Sequence, residues 1–484
     1  MALVATVVSA QAKILTFAWP AVPAATHYKL MKNPDGGSGF SQVGSNIVSV
    51  TVDETIPVHL HDWNNAMYTI DACDALDACI SSSVLTTTSL MLNAIGYFKP
   101  TNPTANHQMG LRTVMSSDGK VVAVGTNTNE GFVYVFRWSA GPGWTQDTVI
   151  QPNKFQYSMA MSGDGNTLAL GTSSNSILIY KYTTSWALDE TVVSSGSPIT
   201  FGLRVALSRD GTTLAVGDNN FTGTKGAVYV YRDNGTSWPQ LGGDLSASDF
   251  AGDTATAASF GQAVALSDNG NTLGVGAIYA DTVSVNDAGK AYVYRWSGSV
   301  WNEEAILEES DSGSNKRFGS ALGFADDGNT LAVGRNSQGG SGSAYVFRFS
   351  GTWSQQGGPL VATSGDGEGL GTTIAISSDG NTLVTGSVFE DGSGTGINPP
   401  ADSFASSAGA AYVFSFSAGN WIQSAYVKSR YTEAGDALGV SVAMSADGQT
   451  IGIGSYLDDS NTTGINSTPN DDGSTNQSGA LYIY

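Results

Sequence analysis

Phe201-Gly-Leu-Arg-Val-Ala-Leu-Ser-Arg-Asp-Gly-Thr-Thr-Leu-Ala-Val-Gly217 decides the fold. The apolar run before Arg209 is a short strand, and Asp210-Gly211 is a tight turn. Asp210 can bond its own backbone two residues on, while Gly211 supplies the positive φ that closes the hairpin. Thr213 to Gly217 is the returning strand. The Gly202/Gly211 spacing of nine recurs at Gly110/Gly119, Gly261/Gly270, Gly319/Gly328, Gly371/Gly380 and Gly439/Gly448, with Gln156 standing in the first Gly position before Gly165. Fixed spacing inside units of variable length marks one supersecondary unit copied seven times.

Outward from the hairpin, each unit continues with an alternating aromatic strand, such as Phe132-Val-Tyr-Val-Phe136, Ala227-Val-Tyr-Val-Tyr231 or Ala480-Leu-Tyr-Ile-Tyr484. Period-2 alternation is what a half-buried strand requires. A fourth strand follows, usually opened by Trp144, Trp186, Trp238, Trp301, Trp353 or Trp421. Four antiparallel strands per unit with no helical periodicity predict an all-β chain, a seven-bladed β-propeller over 90–484. A ring needs its open edges paired. The last unit reaches Tyr484 after its third strand, and Asn93-Ala-Ile-Gly-Tyr-Phe-Lys99 runs into Met109-Gly110 as Gln423-Ser-Ala-Tyr-Val-Lys428 runs into Leu438-Gly439. An N-terminal strand closing the last blade is therefore expected, with the ring ending at Tyr484.

The string at 201–217 resembles the FG-GAP repeat of integrin-α-like propellers in its bacterial extracellular form. The resemblance covers roughly 90–484 and implies a seven-bladed propeller and, in many relatives, adhesion or ligand recognition. In the calcium-binding version of the repeat, the first turn is expanded into a loop of Asp and Asn ligands. Here it is shortened to Ser-Ser-Asp118-Gly, Ser-Gly-Asp164-Gly and equivalents, with one carboxylate as a rule. Ca²⁺ takes six to eight oxygens, so no calcium is expected at the Asp-Gly turns.

Residues 1–89 read differently. Phe17-Ala-Trp19, Tyr28-Lys-Leu30, the Asp35-Gly36-Gly37 turn and Tyr68-Thr-Ile-Asp-Ala-Cys73 are short strands separated by turn residues. An early strand Trp followed by strand tyrosines resembles a fibronectin type III sandwich. Cys73 and Cys79, the two cysteines of the chain, flank Asp74-Ala-Leu-Asp-Ala78, where the last hairpin of such a sandwich would turn. A disulfide between them implies an oxidising compartment; two free thiols are the other reading.

With 21 Lys+Arg against 42 Asp+Glu, the net charge is −21 and Gly numbers 60. Such composition describes turn-rich β structure and repels nucleic acid and anionic lipid. No apolar run has the length of a membrane helix. Residues 1–12 are apolar and end in small residues, but lack a basic segment; a first sandwich strand is preferred over a signal peptide. The chain is expected to be extracellular or at a cell surface, as part of a larger secreted protein.

No catalytic constellation is evident, and no enzyme is expected. His27, His59 and His61 precede the ring, which holds only His107, so a nucleophile supported by His has little to draw on there. His59 and His61 could share one strand face as metal ligands; a solvated strand edge is the alternative. The turn aspartates read as structural. Tyr279, Tyr456 and Arg335 are the candidates if the ring acts on polysaccharide.

Binding is expected on the face where loops vary. The loops joining second and third strands are long in units six (390–408) and seven (458–478), and unit four adds 279–288. Asp458, Asp459, Asn461, Asn466, Asp471 and Asp472 give the seventh loop enough oxygens for Ca²⁺, and Glu390, Asp391, Asn398 and Asp402 occupy comparable places in the sixth. A solvated polar loop is the other reading. Glu303, Glu304, Glu308, Glu309 and Asp311 can add negative potential to this face. The expected function is non-catalytic recognition or adhesion toward an extracellular protein or glycan. A structural subunit of a surface appendage or filament is the alternative, and a polysaccharide-active enzyme comes third.

Overall fold

The computed structural model describes residues 2–7, 13–102, 104–140, 142–194, 200–219, 226–251, 258–283, 285–311, 313, 316–336, 340–468 and 477–484. It is an all-β chain whose only α-helix among the described residues is the single turn Met91–Ala94.

The N-terminal part is two facing sheets. One has the order Val4–Val7, Ile14–Ala18, Thr51–Thr55; the other runs Ser41–Ile47, His27–Asn33, Met67–Cys73, Cys79–Ser81, with Leu85–Thr86 also pairing Met67–Cys73. Alternation puts Phe17, Tyr28, Leu30, Tyr68 and Ile70 inside. The Phe17 and Tyr68 ring centroids lie 4.7 Å apart. Cys73 and Cys79 face each other across the strand pair and form a disulfide.

Seven antiparallel sheets follow in chain order. Their first strands are Arg112–Met115, Gln156–Met161, Arg204–Leu207, Phe260–Leu266, Phe318–Phe324, Ile374–Ile376 and Leu438–Met444. Six sheets have four strands. The third has three, because Pro239 and Gly242-Gly243 interrupt the segment after Trp238. Pro lacks an N–H for the ladder, and only the bridges Val228 to Leu245 and Tyr231 to Gln240 remain. The seventh sheet runs Leu438–Met444, Ile451–Ser455, Ala480–Ile483 and then Gly96–Phe98, so its outer strand comes from the chain before the first unit.

Two glycines per unit explain how the sheets pack. Gly202, Gly261, Gly319, Gly371, Gly439 and Gly110 have φ between 87° and 99°. Each places its carbonyl against a second-strand glycine of the preceding sheet. A Cβ on Gly171, Gly217, Gly276, Gly334, Gly386 or Gly454 would overlap that carbonyl oxygen. Where Gln156 replaces the glycine, Gly125 meets the Gln156 side chain instead.

Backbone hydrogen bonds also link the first turns in a closed circuit. Ser117 N donates to Gly163 O (2.7 Å), Gly163 N to Arg209 O (2.7 Å), Asp210 N to Asp268 O (3.2 Å) and Asp268 N to Asp326 O (3.3 Å). Asp326 N then donates to Ser378 O (3.1 Å), Ser378 N to Ala446 O (2.8 Å) and Ala446 N back to Ser117 O (2.8 Å). The arrangement is consistent with a propeller.

The N-terminal sheets are docked on this turn face. Lys13 Nζ donates to Thr450 Oγ1 (2.5 Å) and Gln449 O (2.9 Å), and His59 Nε2 lies 3.1 Å from Gly448 O. One apolar cluster runs from Phe17 and Tyr68 through Met91 and Ile95 to Tyr97, Ile451 and Tyr484.

Candidate functional site

The first turns are internally satisfied. Asp118 Oδ1 accepts from Ser116 Oγ (2.7 Å) and Lys120 N (3.0 Å), and Asp164, Asp379 and Asp447 repeat the pattern with Ser162, Ser377 and Ser445. Each Asp closes its own hairpin, which is the structural role its position suggests.

In the loops at the opposite end of the sheets, the sixth and seventh units share a construction. Glu390 is completely buried. Its Oε2 accepts from Lys428 Nζ (2.6 Å) and its Oε1 from Tyr426 OH (2.5 Å) and Gly392 N (3.0 Å). Asp458 accepts from Lys99 Nζ (2.7 Å), Tyr97 OH (3.1 Å) and Tyr482 OH (3.1 Å). Both lysine side chains are 0% exposed, so each carboxylate holds an internal ammonium in loops whose oxygens read, from sequence, either as a Ca²⁺ ligand set or as a solvated polar surface. Burial lowers the Lys428 pKa, and Glu390 opposes that shift. Burial raises Asp436 to about 9, with the Asp458 and Glu433 charges adding to it.

The remaining loop residues serve the same folding. Asn398 and Asn466 both have positive φ. Asn398 Oδ1 accepts from Tyr426 N (2.8 Å) and Asn466 Oδ1 from Tyr97 N (2.8 Å). The two sit at the ends of matching Thr-Gly-Ile-Asn segments, 395–398 and 463–466, whose isoleucines bridge to Val427 and Phe98. Asp391 accepts from Ser407 N (2.7 Å), and Asp402 from Ser393 N (2.6 Å) and Ser393 Oγ (2.8 Å). Asp459 and Asn461 continue the seventh loop, while Asp471 and Asp472 lie outside the described residues. The repeated Thr-Gly-Ile-Asn is the sequence signal for this fold-back.

Comparable pairs occur elsewhere with different donors. Lys290 Nζ is 2.6 Å from Asp249 Oδ2, and Tyr292 OH bonds Asp249 Oδ1 (3.0 Å). Arg335 reaches Glu309 (3.0 Å) and Asp311 (2.9 Å), which also accept from Tyr345 OH. In the first sheet His107 takes the place of the acid, 2.9 Å from Tyr134 OH. Arg335 and His107 are thus engaged by the fold. Glu303 and Glu304 likewise bond Tyr294, Arg295 and Trp353. Burial holds His59 at about 3 and His61 at about 4. His59 meets Gly448 O and His61 meets Thr87 Oγ1, rather than sharing one exposed strand face.

Beside exposed polar residues such as Thr395, Asn398 and Ser403, the loops expose three large apolar side chains: Phe389 (51%), Phe404 (86%) and Val283 (fully exposed). Between the first strands lies a cavity of about 450 Å³, to which every sheet contributes, including Arg112, Ser158, Arg204, Val264, Ser320, Thr373 and Ser441.

Among the described residues, no helix is long and apolar enough to cross a membrane. A search among curated proteins finds no match for the chain. Two stretches, 247–294 and 301–347, which build most of the fourth and fifth sheets, each match the FG-GAP repeat family.

Proposed function

We propose that the chain is a non-catalytic recognition module of the extracellular space: a seven-bladed propeller over 90–484, closed by its N-terminal strand, behind a fibronectin type III-like sandwich over 1–89. The FG-GAP matches, the circuit of turn hydrogen bonds and the pairing of Gly96–Phe98 with Ala480–Ile483 support the ring. The strand orders of the two N-terminal sheets support the sandwich. Its packing against the turns makes it a fixed part of the module rather than a loose spacer.

One observation carries the functional reading. The turn face is made uniform by hydrogen bonding and is partly covered by the sandwich, whereas the opposite face differs from unit to unit and exposes Val283, Phe389 and Phe404. Exposed aromatic residues on variable loops are suited to recognising a protein or glycan. The disulfide fits an extracellular setting. Binding is calcium-independent on this reading, because Lys99 and Lys428 neutralise the best-placed carboxylates from within.

The test is a glycan and surface-protein array probed with the full chain, with EDTA and with added calcium. A ligand retained in EDTA and lost in a folded Phe389→Ala/Phe404→Ala variant supports the reading. A folded chain that binds nothing but assembles into regular polymers would move it to the structural alternative.

A further inference from the structure

The central cavity differs electrostatically from the rest of this acidic chain. Its lining contains two arginines and, among the described residues, no carboxylate. Arg137, Arg209, Arg295 and Arg335 are paired with Asp or Glu elsewhere. By contrast, Arg112 donates to Tyr157 O (2.8 Å) and Thr126 O (3.3 Å), and Arg204 to Leu203 O (2.9 Å). A guanidinium has five N–H donors, so each retains donors beyond these main-chain bonds. Burial, reinforced by the charge of Arg204, lowers Arg112 to about 10, which leaves both groups charged at neutral pH.

The hydroxyls in the lining have the opposite need. Ser158 Oγ donates to Gly202 O (2.9 Å), Ser320 Oγ to Gly371 O (3.1 Å), Thr373 Oγ1 to Gly439 O (3.1 Å) and Ser441 Oγ to Gly110 O (2.6 Å). Each commits its one proton to the neighbouring sheet; Ser441 Oγ also lies 2.9 Å from Thr113 Oγ1, so it is Ser158, Ser320 and Thr373 whose oxygens keep lone pairs as their remaining hydrogen-bonding capacity. A complementary ligand accepts from guanidinium and donates to hydroxyl oxygens. A carboxylate bound to a polyol does both, whereas inorganic sulfate only accepts. About 450 Å³ lies within the roughly 300–1,000 Å³ of small-molecule sites.

We infer that the cavity binds a sugar acid, with the uronate carboxylate on Arg112 and Arg204 and the ring hydroxyls on the serine and threonine oxygens. Arg–carboxylate pairing provides orientation as well as attraction. The inference rests on the recognition reading but places its ligand in the cavity, apart from Phe389 and Phe404 of the loop face.

The experiment is calorimetric titration of the full chain with D-galacturonate, D-galactose and inorganic sulfate, repeated on Arg204→Gln and on Arg112→Gln/Arg204→Gln. Among the described residues Arg204 makes only a local main-chain bond, to Leu203 O, so the single variant keeps the test usable if the double variant unfolds. The expected result is galacturonate at least tenfold tighter than either galactose or sulfate, with at least a tenfold loss in Arg204→Gln. Galacturonate no tighter than galactose, sulfate as tight as galacturonate, or unchanged binding by folded Arg204→Gln would each overturn the inference. An array ligand that survives Arg204→Gln but is lost in Phe389→Ala/Phe404→Ala leaves the recognition reading standing while removing this one.

Discussion

Lys428 Nζ lies 2.6 Å from Glu390 Oε2, with both side chains completely excluded from solvent. The pair joins the residue that ends the fourth strand of the sixth sheet to the loop folded over that strand. Tyr426, Gly392 and Gly409 add the remaining hydrogen bonds. Burying two charges is unfavourable unless each satisfies the other, so the stability of the loop depends on the presence of both.

Lys428→Met is therefore expected to destabilise the chain by about 3–5 kcal/mol, because it leaves the Glu390 carboxylate buried and uncompensated. Lys428→Met/Glu390→Gln should recover a substantial part of the loss. Thermal unfolding of both variants and the parent is the check. Equal losses in the single and double variants would show that the loop does not depend on charge compensation. The parent midpoint should not move on adding calcium or EDTA, and a rise of several degrees with calcium would contradict internal neutralisation.

The packing glycines give a matched comparison. Gly439 and Gly419 both have positive φ, at 92° and 85°. A Cβ on Gly439 would overlap Ala410 O, whereas one on Gly419 meets nothing within 4 Å. Gly419→Ala should cost about 1–2 kcal/mol from backbone conformation alone. Gly439→Ala adds an inter-sheet clash and should cost at least ~1 kcal/mol more. Comparable denaturant midpoints for the two would remove close approach as the reason for the repeated glycine.

These cases also show which parts of the molecule could be read from sequence. Asp118 bonds Ser116 and Lys120 within its own hairpin, so turn and strand were legible locally. The closing strand was visible because Lys99 and Lys428 end similar segments. Their partners were not visible. Lys99 meets Asp458 across 359 positions, and equivalent cations enter from different strands, as Lys290 and Arg335 do. Acidic loop residues therefore looked available when the fold had already engaged several of them. The cavity was hidden for a related reason, since it takes a few residues from each of seven sheets.

The Cys73–Cys79 disulfide closes a short loop at the edge of an N-terminal sheet. Loop-closure entropy gives about 2 kcal/mol for a loop of this size. Cys73→Ser/Cys79→Ser should lower the stability of the N-terminal sheets by that amount. Hydrogen exchange should then quicken in Met67–Cys73 while the strands of the fourth and fifth sheets keep their protection. Uniform loss of protection over the whole chain would instead mean that the N-terminal sheets and the seven sheets that follow unfold as one unit.

The docked N-terminal sheets make the chain sensitive to acid through His59, which lies 3.1 Å from Gly448 O. Burial, with a further contribution from the nearby Lys13 charge, lowers its pKa from 6.5 to about 3. Between these values the unfolded state binds a proton that the folded state does not, so stability is fully present above about pH 6.5 and declines as pH falls toward 3. The slope from this one group is at most about 1.4 kcal/mol per pH unit. Lys13 acts in the same direction at higher pH: burial lowers it to about 8 from 10.5, so its contribution to stability rises with pH across that interval. Denaturant midpoints at pH 7 and pH 4.5 should separate more in the parent than in His59→Gln, which cannot titrate. An identical pH dependence in the two proteins would show that acid acts elsewhere, with the interface between His59 and Gly448 indifferent to protonation.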